Sequence, residues 1–585
     1  MEKNGTGDLE HHLVLAYYMS MTKHLLRLYS VILTVFVVLQ EGYCQTGFLN
    51  VKDFHAVGDG MTDDTDAIQE AISQASTGDT VYIPAGAYLV RALGLKSGVS
   101  IKGDGMLIQR IEGEKEEVTN DKQNSSAPLF RGHGLQNVYL AVKAQTVYEA
   151  AYFSASKNII IENSTLIGDP SNPRSFSGLL FYDCEDVRIQ NSTLRYFGAP
   201  RELPHVYQRG TAIRILSSSI IKIKECEITD NGENGIFLHD TPDVEVTKNL
   251  INKNGMSAIQ VAFGSTGREK NYLISQNRME ENAADAIDIN NRSNRPYWDI
   301  NCHIEGNISR NNGYVKGLST PDGSGIATLI NLSGVTMRNN TAEGNNRPAL
   351  YVENCGYIYA EGNKADNQIE VVLQFDELIL EDNAFSSVNL LANADGKLLK
   401  LTHNRLYSMS LPNGIKVDSL ILHKNLIAQA SLNFNMTGHL EMIGNTINSH
   451  AKEGAILLVK VNSALLKHNI ITSTGSPAIS TRKSAENVSI LNNTIKSVNS
   501  CIFDDGAKGL RIIGNKLTSL EGGSFRHTLV SRGPNQLLLS HNEHRTSDGN
   551  ITIYLEGEGT AKIASENILS GAVDYGTVNV KTSID

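Results

Sequence analysis

Cysteine is scarce and scattered in this chain. There are six in 585 residues, at Cys44, Cys184, Cys226, Cys302, Cys355 and Cys501, with no CxxC spacing among them. That excludes a disulfide framework and offers neither a zinc site nor a redox motif. Positive charge is lacking too: the formal net charge is −11, so there is no basic footprint and nucleic acid is not an expected partner. Tryptophan occurs once, at Trp298. The apolar run from Leu28 to Leu39 is shorter than a bilayer requires, and it follows Lys23, His24 and Arg27 and precedes Gly42-Tyr43-Cys44. Residues 1–45 therefore read as a secretory leader, translated from Met19 or Met21. The expectation is a secreted, periplasmic or cell-surface protein with no transmembrane segment in its mature chain.

What is present is repetition. One phrase occurs three times between Asn234 and Arg292, as NGIFLHD at 234–240, SAIQVAF at 257–263 and DAIDINN at 285–291. Each copy alternates apolar residues (Ile236 and Leu238, Ile259 and Val261, Ile287 and Ile289) with variable ones, the pattern of a strand with one buried face. The copies return after 23 and 28 residues, which suits successive turns of a solenoid better than a hairpin. From residue 158 onward an asparagine closes phrase after phrase, at Asn163, Asn191, Asn249, Asn277, Asn307, Asn340, Asn363 and on to Asn567, with Cys226 in the one vacant place. Stacked asparagines at one inward corner can hydrogen-bond to one another and to the turn backbone. On that reading Asn163-Ser164-Thr165 and Asn191-Ser192-Thr193 face inward and are not glycan acceptors.

Before the repeats, Leu49 to Phe54 reads as a strand, Thr62-Asp63-Asp64-Thr65 as a helix cap, and Ala67, Ile68, Ala71, Ile72 and Ala75 as one face of a helix. The words NVKDFHAVGDGMTDDTDAIQEAI, VYIPAGAYLV and IKGDGM resemble the start of the pectate-lyase-like superfamily, which includes rhamnogalacturonases, polygalacturonases, mannuronan C5-epimerases and phage tailspikes. The resemblance implies an all-β, right-handed, single-stranded parallel β-helix whose N-terminal end is covered by the α-helix. The expected organisation is a leader at 1–45, an opening and cap at 46–110, coils with long loops at 111–355, and regular coils at 356–585.

Spacing places the expected site. Between Asn163 and Asn340, with Cys226 counted as a rung, spacings of 28, 35, 28, 30 and 33 residues occur where the coils from Asn363 to Asn445 need 20 or 21, so the extra residues form loops concentrated in the first half. These insertions are 168–177, 197–210, 291–301 and 313–323. The third carries Trp298 beside Tyr297 and close to Arg292 and Arg295, rings and cations suited to an acidic sugar, unless Trp298 simply pins its loop. The outward strip of the strands contributes Tyr182, Arg214, His239, Gln260, Asp288, Asn290, Tyr351 and Glu353, with Asp240 at a strand end.

Two reactions can be assembled from these residues. In the first, Arg214 or Arg292 neutralises a uronate carboxylate, His239 removes the C5 proton and Tyr182 protonates the leaving oxygen or the opposite face, giving a lyase or C5-epimerase. The alternative is an inverting glycoside hydrolase with Asp288 as acid and Asp240 as base. A third possibility is a non-catalytic glycan-binding surface rod. The catalytic candidates are thus His239, Asp288 and Asp240, and the substrate-binding candidates Tyr182, Arg214, Gln260, Asn290, Arg292, Trp298 and Tyr351. Asp240 also suits the turn Thr241-Pro242-Asp243, and Asp285 and Asp322 read as turn residues. Gly235-Ile236-Phe237-Leu238-His239 is similar to the catalytic phrase of mannuronan epimerases at its histidine and departs from it at Phe237, where that family has an acidic residue. The polygalacturonase signature NTDG is missing. The expected partner is a polysaccharide, with no cofactor or metal ligand set; the calcium that pectate lyases use is not indicated, because no aspartates cluster in these coils.

Overall fold

The computed structural model describes residues 47–110, 127–170, 177–198, 209–291, 297–391, 393–411, 415–452, 454–475, 477–523, 527–547, 551–576 and 578–583, together with Met21, Thr22 and Leu26. Helix α1 (Thr65–Gln74) buries Ile68, Ala71 and Ile72 and packs against the 3-10 turn Val51–Phe54 and the strand Leu93–Gly94. Its first turn is held by Asp63, whose Oδ1 accepts from the Thr65 amide at 3.0 Å and hydroxyl at 2.5 Å. Asp64, expected to share the capping, is turned to the preceding loop instead and accepts from the Val57 amide at 2.5 Å and the Gly58 amide at 3.0 Å.

The remainder is a parallel β-solenoid in which each strand pairs with its counterparts one coil before and after. Along one face run β1 (Ser177–Tyr182), β2 (Thr211–Leu216), β3 (Ile236–His239), β4 (Ile259–Ala262), β5 (Ile287–Asn290), β6 (Ala327–Ile330) and β7 (Leu350–Glu361). Their register is unbroken. Leu180, Arg214, Phe237, Gln260, Asp288, Thr328 and Tyr351 form one outward column. Tyr182, Leu216, His239, Ala262, Asn290, Ile330 and Glu353 form the next. Between them the column Phe181, Ile215, Leu238, Val261, Ile289, Leu329 and Val352 points inward and is buried.

The asparagine ladder is present from Asn249 to Asn567. A typical rung is Asn404, whose Nδ2 donates to Asn425 Oδ1 at 3.0 Å and to the Leu380 carbonyl at 2.9 Å, while its Oδ1 accepts from the Asn383 amide at 3.0 Å. At the start of the ladder the expectation is off by one residue. Ser164, Ser192 and Cys226 occupy the buried rungs, whereas Asn163 and Asn191 are exposed turn residues at φ 50 and 46 that bond to each other. The shift follows from local chemistry: Asn tolerates the left-handed turn position, and a serine hydroxyl is short enough to bond its neighbouring carbonyls from inside. The inward placement that argued against glycan acceptors at Asn163 and Asn191 therefore does not hold.

A second ladder had not been anticipated. Asn231, Asn254, Asn282, Asn312 and Asn345 are all buried, and the Oδ1 of each of the last four accepts from both the amide and the side chain of the rung before it. These residues lie at the corner just before β3 to β7, the strands that carry the expected site.

Candidate active site

The outward residues of β5 and β7 face a cleft of about 190 Å³ that is walled by the loop 313–323. That loop begins as an antiparallel hairpin pairing Tyr314–Val315 with Leu318–Ser319. At its neck Gly313 and Gly323, at φ +88 and +121, come so close that a Cβ on Gly323 would lie 2.5 Å from the Gly313 Cα, so the turn needs glycine at both places. Thr320 fastens the loop to the solenoid by donating to the Ala283 carbonyl at 2.9 Å.

Four carboxylates and one guanidinium line the cleft: Asp285, Asp288, Asp322, Glu353 and Arg347. Asp288, 8% exposed, projects from the middle of β5. Its Oδ2 accepts from Gln260 Nε2 at 3.0 Å, and Gln260 Oε1 accepts in turn from Asn234 Nδ2 at 2.9 Å. The buried Asn234 also accepts from the Ser257 amide at 3.0 Å, so a chain of amides sets the orientation of the Asp288 carboxylate. Asp285, 6% exposed, precedes β5, and its Oδ1 accepts from the Gly323 amide at 3.0 Å, the Ser324 amide at 2.6 Å and the Thr328 hydroxyl at 3.2 Å. Burial, with the Asp322 carboxylate close by, pushes its pKa up to about 6 in spite of those donors. Tyr351 donates to Glu353 Oε2 at 2.6 Å, and burial together with that carboxylate raises the phenol above its ordinary range. Arg347 stands exposed on the rim and makes no ion pair among the described residues.

The cleft thus gathers Asp288, Asn290 and Tyr351 from the expected set, with Gln260 behind Asp288. It also contains Asp285 and Asp322, which the sequence suggests only as turn residues. Arg347 was not anticipated at all. A sequence signal for Asp285 does exist, since it stands three residues before Asp288 in the same phrase, but a buried acid and a turn aspartate look alike until the covering loop is placed.

Other candidates lie elsewhere. Arg214, expected to be an accessible cation, is 2% exposed. Its Nη2 pairs with Glu233 Oε2 at 2.5 Å and donates to Thr211 Oγ1 at 2.7 Å, its Nε donates to Ser177 Oγ at 3.1 Å, and the guanidinium lies 4.6 Å from the Phe237 ring centroid. It is walled in and cannot meet a substrate carboxylate. Asp240 is a buried left-handed turn residue at φ 54, held by Thr266, by Ser217 at 3.2 Å and by Arg268 at 3.4 Å, while its own amide donates to Glu269 Oε1 at 2.8 Å. Those contacts give it the turn role. Trp298 donates from Nε1 to the Glu269 carbonyl at 2.6 Å and packs against the core, which ties the start of the strand Trp298–Glu305 to the coil.

His239 is half-buried two coils from Asp288, in the adjacent column, with its ring nearly parallel to that of Phe237 at 6.4 Å. Its Nδ1 lies 3.0 Å from the Ala262 carbonyl, a contact that requires Nδ1–H and leaves Nε2 as an acceptor. Tyr182 shares its column two coils away, with Leu216 between them. Arg292 falls outside the described residues. Among the described residues, three potential metal-ligating atoms come together only at Glu381, Asp382 and His403, on the regular half and away from the cleft.

Known proteins match this chain in part. Residues 48–288 fit the family described as rhamnogalacturonase A/epimerase, pectate lyase-like. Alginate lyase 7 of Azotobacter vinelandii is 41% identical over 102 residues, which is 15% of this chain and 12% of that protein. Mannuronan C5-epimerase AlgE4 of the same organism is 38% identical over 104 residues, 16% of this chain and 19% of the other. The chain thus spans under a fifth of either relative. A longer and weaker likeness, 23% over 536 residues, covers 89% of this chain and 63% of plasmin and fibronectin-binding protein A from Streptococcus pneumoniae. The family match takes in about two fifths of the chain, and the described strands wind into one parallel solenoid, the architecture expected of a chain that resembles the pectate-lyase-like parallel β-helices.

Proposed function

We propose that this protein is an extracellular carbohydrate-active enzyme that cleaves an acidic, uronate-containing polysaccharide by acid/base hydrolysis in the cleft. The observation that carries the reading is the unlike setting of its carboxyls. Burial raises the Asp285 carboxyl to about 6, which suits a proton donor, and Asp288, oriented by Gln260, would serve as the base. Two carboxyls with separated roles on either side of a scissile bond are the requirement of glycoside hydrolysis. Asp285 would give its proton to the leaving glycosidic oxygen, and Asp288 would take one from the water whose oxygen bonds to the anomeric carbon, in a single inverting displacement. Arg347, exposed on the rim, suits the uronate carboxylate. The acidic character of the substrate is supported by the alginate- and mannuronan-directed relatives.

A second reading, lyase or C5-epimerase, is favoured by those relatives and by the open Nε2 of His239, which could accept a C5 proton. It is weakened by the burial of Arg214, the cation nearest to that histidine in the strip. A panel of acidic polysaccharides separates the readings. Reducing ends without ultraviolet absorbance support hydrolysis, and an unsaturated absorbing product or altered C5 configuration supports the second. Binding with neither product would turn the protein into a surface-binding rod and overturn both.

A further inference from the structure

In the regular half, the strands that follow the asparagine rungs turn one column of side chains into the bore of the solenoid. The column runs Ile447, Ile471, Ile495, Leu517, His544 and Leu569, so one histidine stands where the fold otherwise places aliphatic groups. His544 is completely buried. Its Nδ1 lies 2.7 Å from Thr528 Oγ1, and that hydroxyl gives its one hydrogen to the Thr552 carbonyl, also at 2.7 Å. Nδ1 must therefore carry the ring proton and donate it, which leaves Nε2 with a lone pair. Nε2 is buried and has no hydrogen-bond partner among the described residues.

The groups around the ring are apolar or neutral. Leu517, on the strand Lys516–Ser519, and Leu569, on the strand Ile568–Leu569, flank it on the two adjacent coils. Glu543 and Arg545, on its own strand, pair with each other on the outer face, as Arg532 and Glu556 do at 3.2 Å. Lys516 and Glu566 are exposed, and His527, beside Thr528, stacks on Tyr554 and bonds to the Ile551 carbonyl. Two other titratable side chains are buried in these coils. Burial pushes the Cys501 thiol up to about 12, and the Asp504 carboxyl is engaged by Thr481, Ser531 and the Ala507 amide.

A proton added at Nε2 would make both ring nitrogens donors and put a positive charge into an apolar bore that offers the new N–H no acceptor. The cover on the following coil is thin, a strand of two residues in which Ile568 is exposed and Leu569 half-buried. A solenoid coil rests only on its neighbours, so the strain is relieved by opening the coils on either side of His544 and not by unfolding the whole rod.

We propose that His544 is an acid-operated latch, in which proton uptake at Nε2 opens the coils from Lys516 to Leu569 while those from Asn363 to Asn445 stay closed. The latch acts independently of the reaction in the cleft. Burial, with no charged neighbour contributing, lowers the imidazole from 6.5 to about 4. The stability that neutral His544 provides is thus complete above pH 6.5 and is lost as the pH falls from there towards 4, where the opened coils bind the proton that the closed coils refuse. Across that window the opening equilibrium shifts by up to about 300-fold.

The test is hydrogen–deuterium exchange of the full chain, read by mass spectrometry at pH 7.5 and 4.5 and corrected for intrinsic exchange rates. Peptides from 529–546 should open at least about tenfold more readily at the lower pH, and peptides from 399–427 should not change. His544→Gln, which stays polar but cannot take up a charge, and His544→Leu, which completes the aliphatic column, should each remove the acid response. Exchange at the imidazole C2 hydrogen of the unaltered chain needs no variant, and it should show His544 at least about tenfold more acidic than the exposed His403 and His468. An acid response that persists in both variants, its absence from the unaltered chain, or an ordinary titration of His544 overturns the proposal.

Discussion

The two halves of the solenoid solve the same packing problem with different amounts of chain. From Asn363 to Asn445 a coil closes in 20 or 21 residues, and strands merge across corners, as in the 18-residue strand Leu426–Ile443. Between Asn249 and Asn340 a coil takes 28 to 33 residues, its strands on the site face are four residues long, and the surplus stands out as loops. The second asparagine ladder, Asn231 to Asn345, occurs in this looped half, at the corner from which β3 to β7 start. A long loop adds conformational freedom next to the residues that must hold still, and a ladder of four to six bonds per rung supplies the rigid base that such a site needs. The comparison teaches that the half that carries the insertions adds a second buried polar ladder to the one that both halves share.

Buried aspartates sharpen the contrast. Asp285 in the looped half and Asp504 in the regular half are both held above the usual carboxylate range by burial. Asp504, however, lies inside the coil and is fully engaged by Thr481 at 2.7 Å, Ser531 at 2.6 Å and the Ala507 amide at 2.9 Å. We expect Asp285→Asn to lower turnover of the acidic polysaccharide by roughly 10²- to 10⁴-fold, the range of a lost general acid, and Asp504→Asn to leave it within about twofold. Equal losses in a reducing-end assay would erase the distinction.

Next in size is the buried pair of Arg214 and Glu233. Glu233→Gln should destabilise the fold by about 3–5 kcal/mol in denaturant unfolding, because it leaves a guanidinium buried without its counter-charge. A loss confined to KM, with unfolding unchanged, would show instead that Arg214 serves the substrate.

Asp285 also predicts a pH dependence of stability. Its folded pKa, about 6, is above the ordinary aspartate value, so between pH 4 and 6 the unfolded chain has given up the proton that the folded chain keeps. Stability should fall as pH rises through that window and then level off, at a total cost of about 3 kcal/mol, and Asp285→Asn should abolish this component. A slope identical in the variant would mean that Asp285 titrates normally.

The two ladders give a finer test. Asn282→Ala and Asn404→Ala each orphan buried donors and acceptors and should cost about 1–3 kcal/mol per unsatisfied group, yet only Asn282→Ala should also reduce kcat, since its rung lies below the cleft. The smallest effect belongs to Trp298→Phe, which loses one hydrogen bond to the Glu269 carbonyl, worth about 1 kcal/mol, and should leave KM within about twofold. A large rise in KM would restore Trp298 as a sugar platform.

Much of the fold was legible because it is written in periods. Alternation within each phrase identified the inward residues of β3, β4 and β5, and the return of asparagine identified the coils. The ladder's first rungs were misread because Asn163 and Asn191 are adjacent to Ser164 and Ser192, and one residue separates an exposed turn from a buried rung. The second ladder, five residues beyond the first in each coil, was equally periodic and went unnoticed among so many asparagines. In the site, Asp288, Asn290 and Tyr351 were recognisable from the outward columns. Asp285, Asp322 and Arg347 lie in or beside turns, where polar residues have several ordinary reasons to occur.

The amino-acid sequence by itself determined that the chain winds into a parallel solenoid, which residues of each strand face outward, and which half carries the loops, because strand alternation and coil length are local properties of the chain. Only the tertiary structure decided which outward residues meet water. Arg214 and Asp288 share one column, yet the first is sealed against Glu233 and the second opens on the cleft. That outcome depends on chain segments from neighbouring coils folding over a flat face, and no periodicity within a strand encodes where they come to rest.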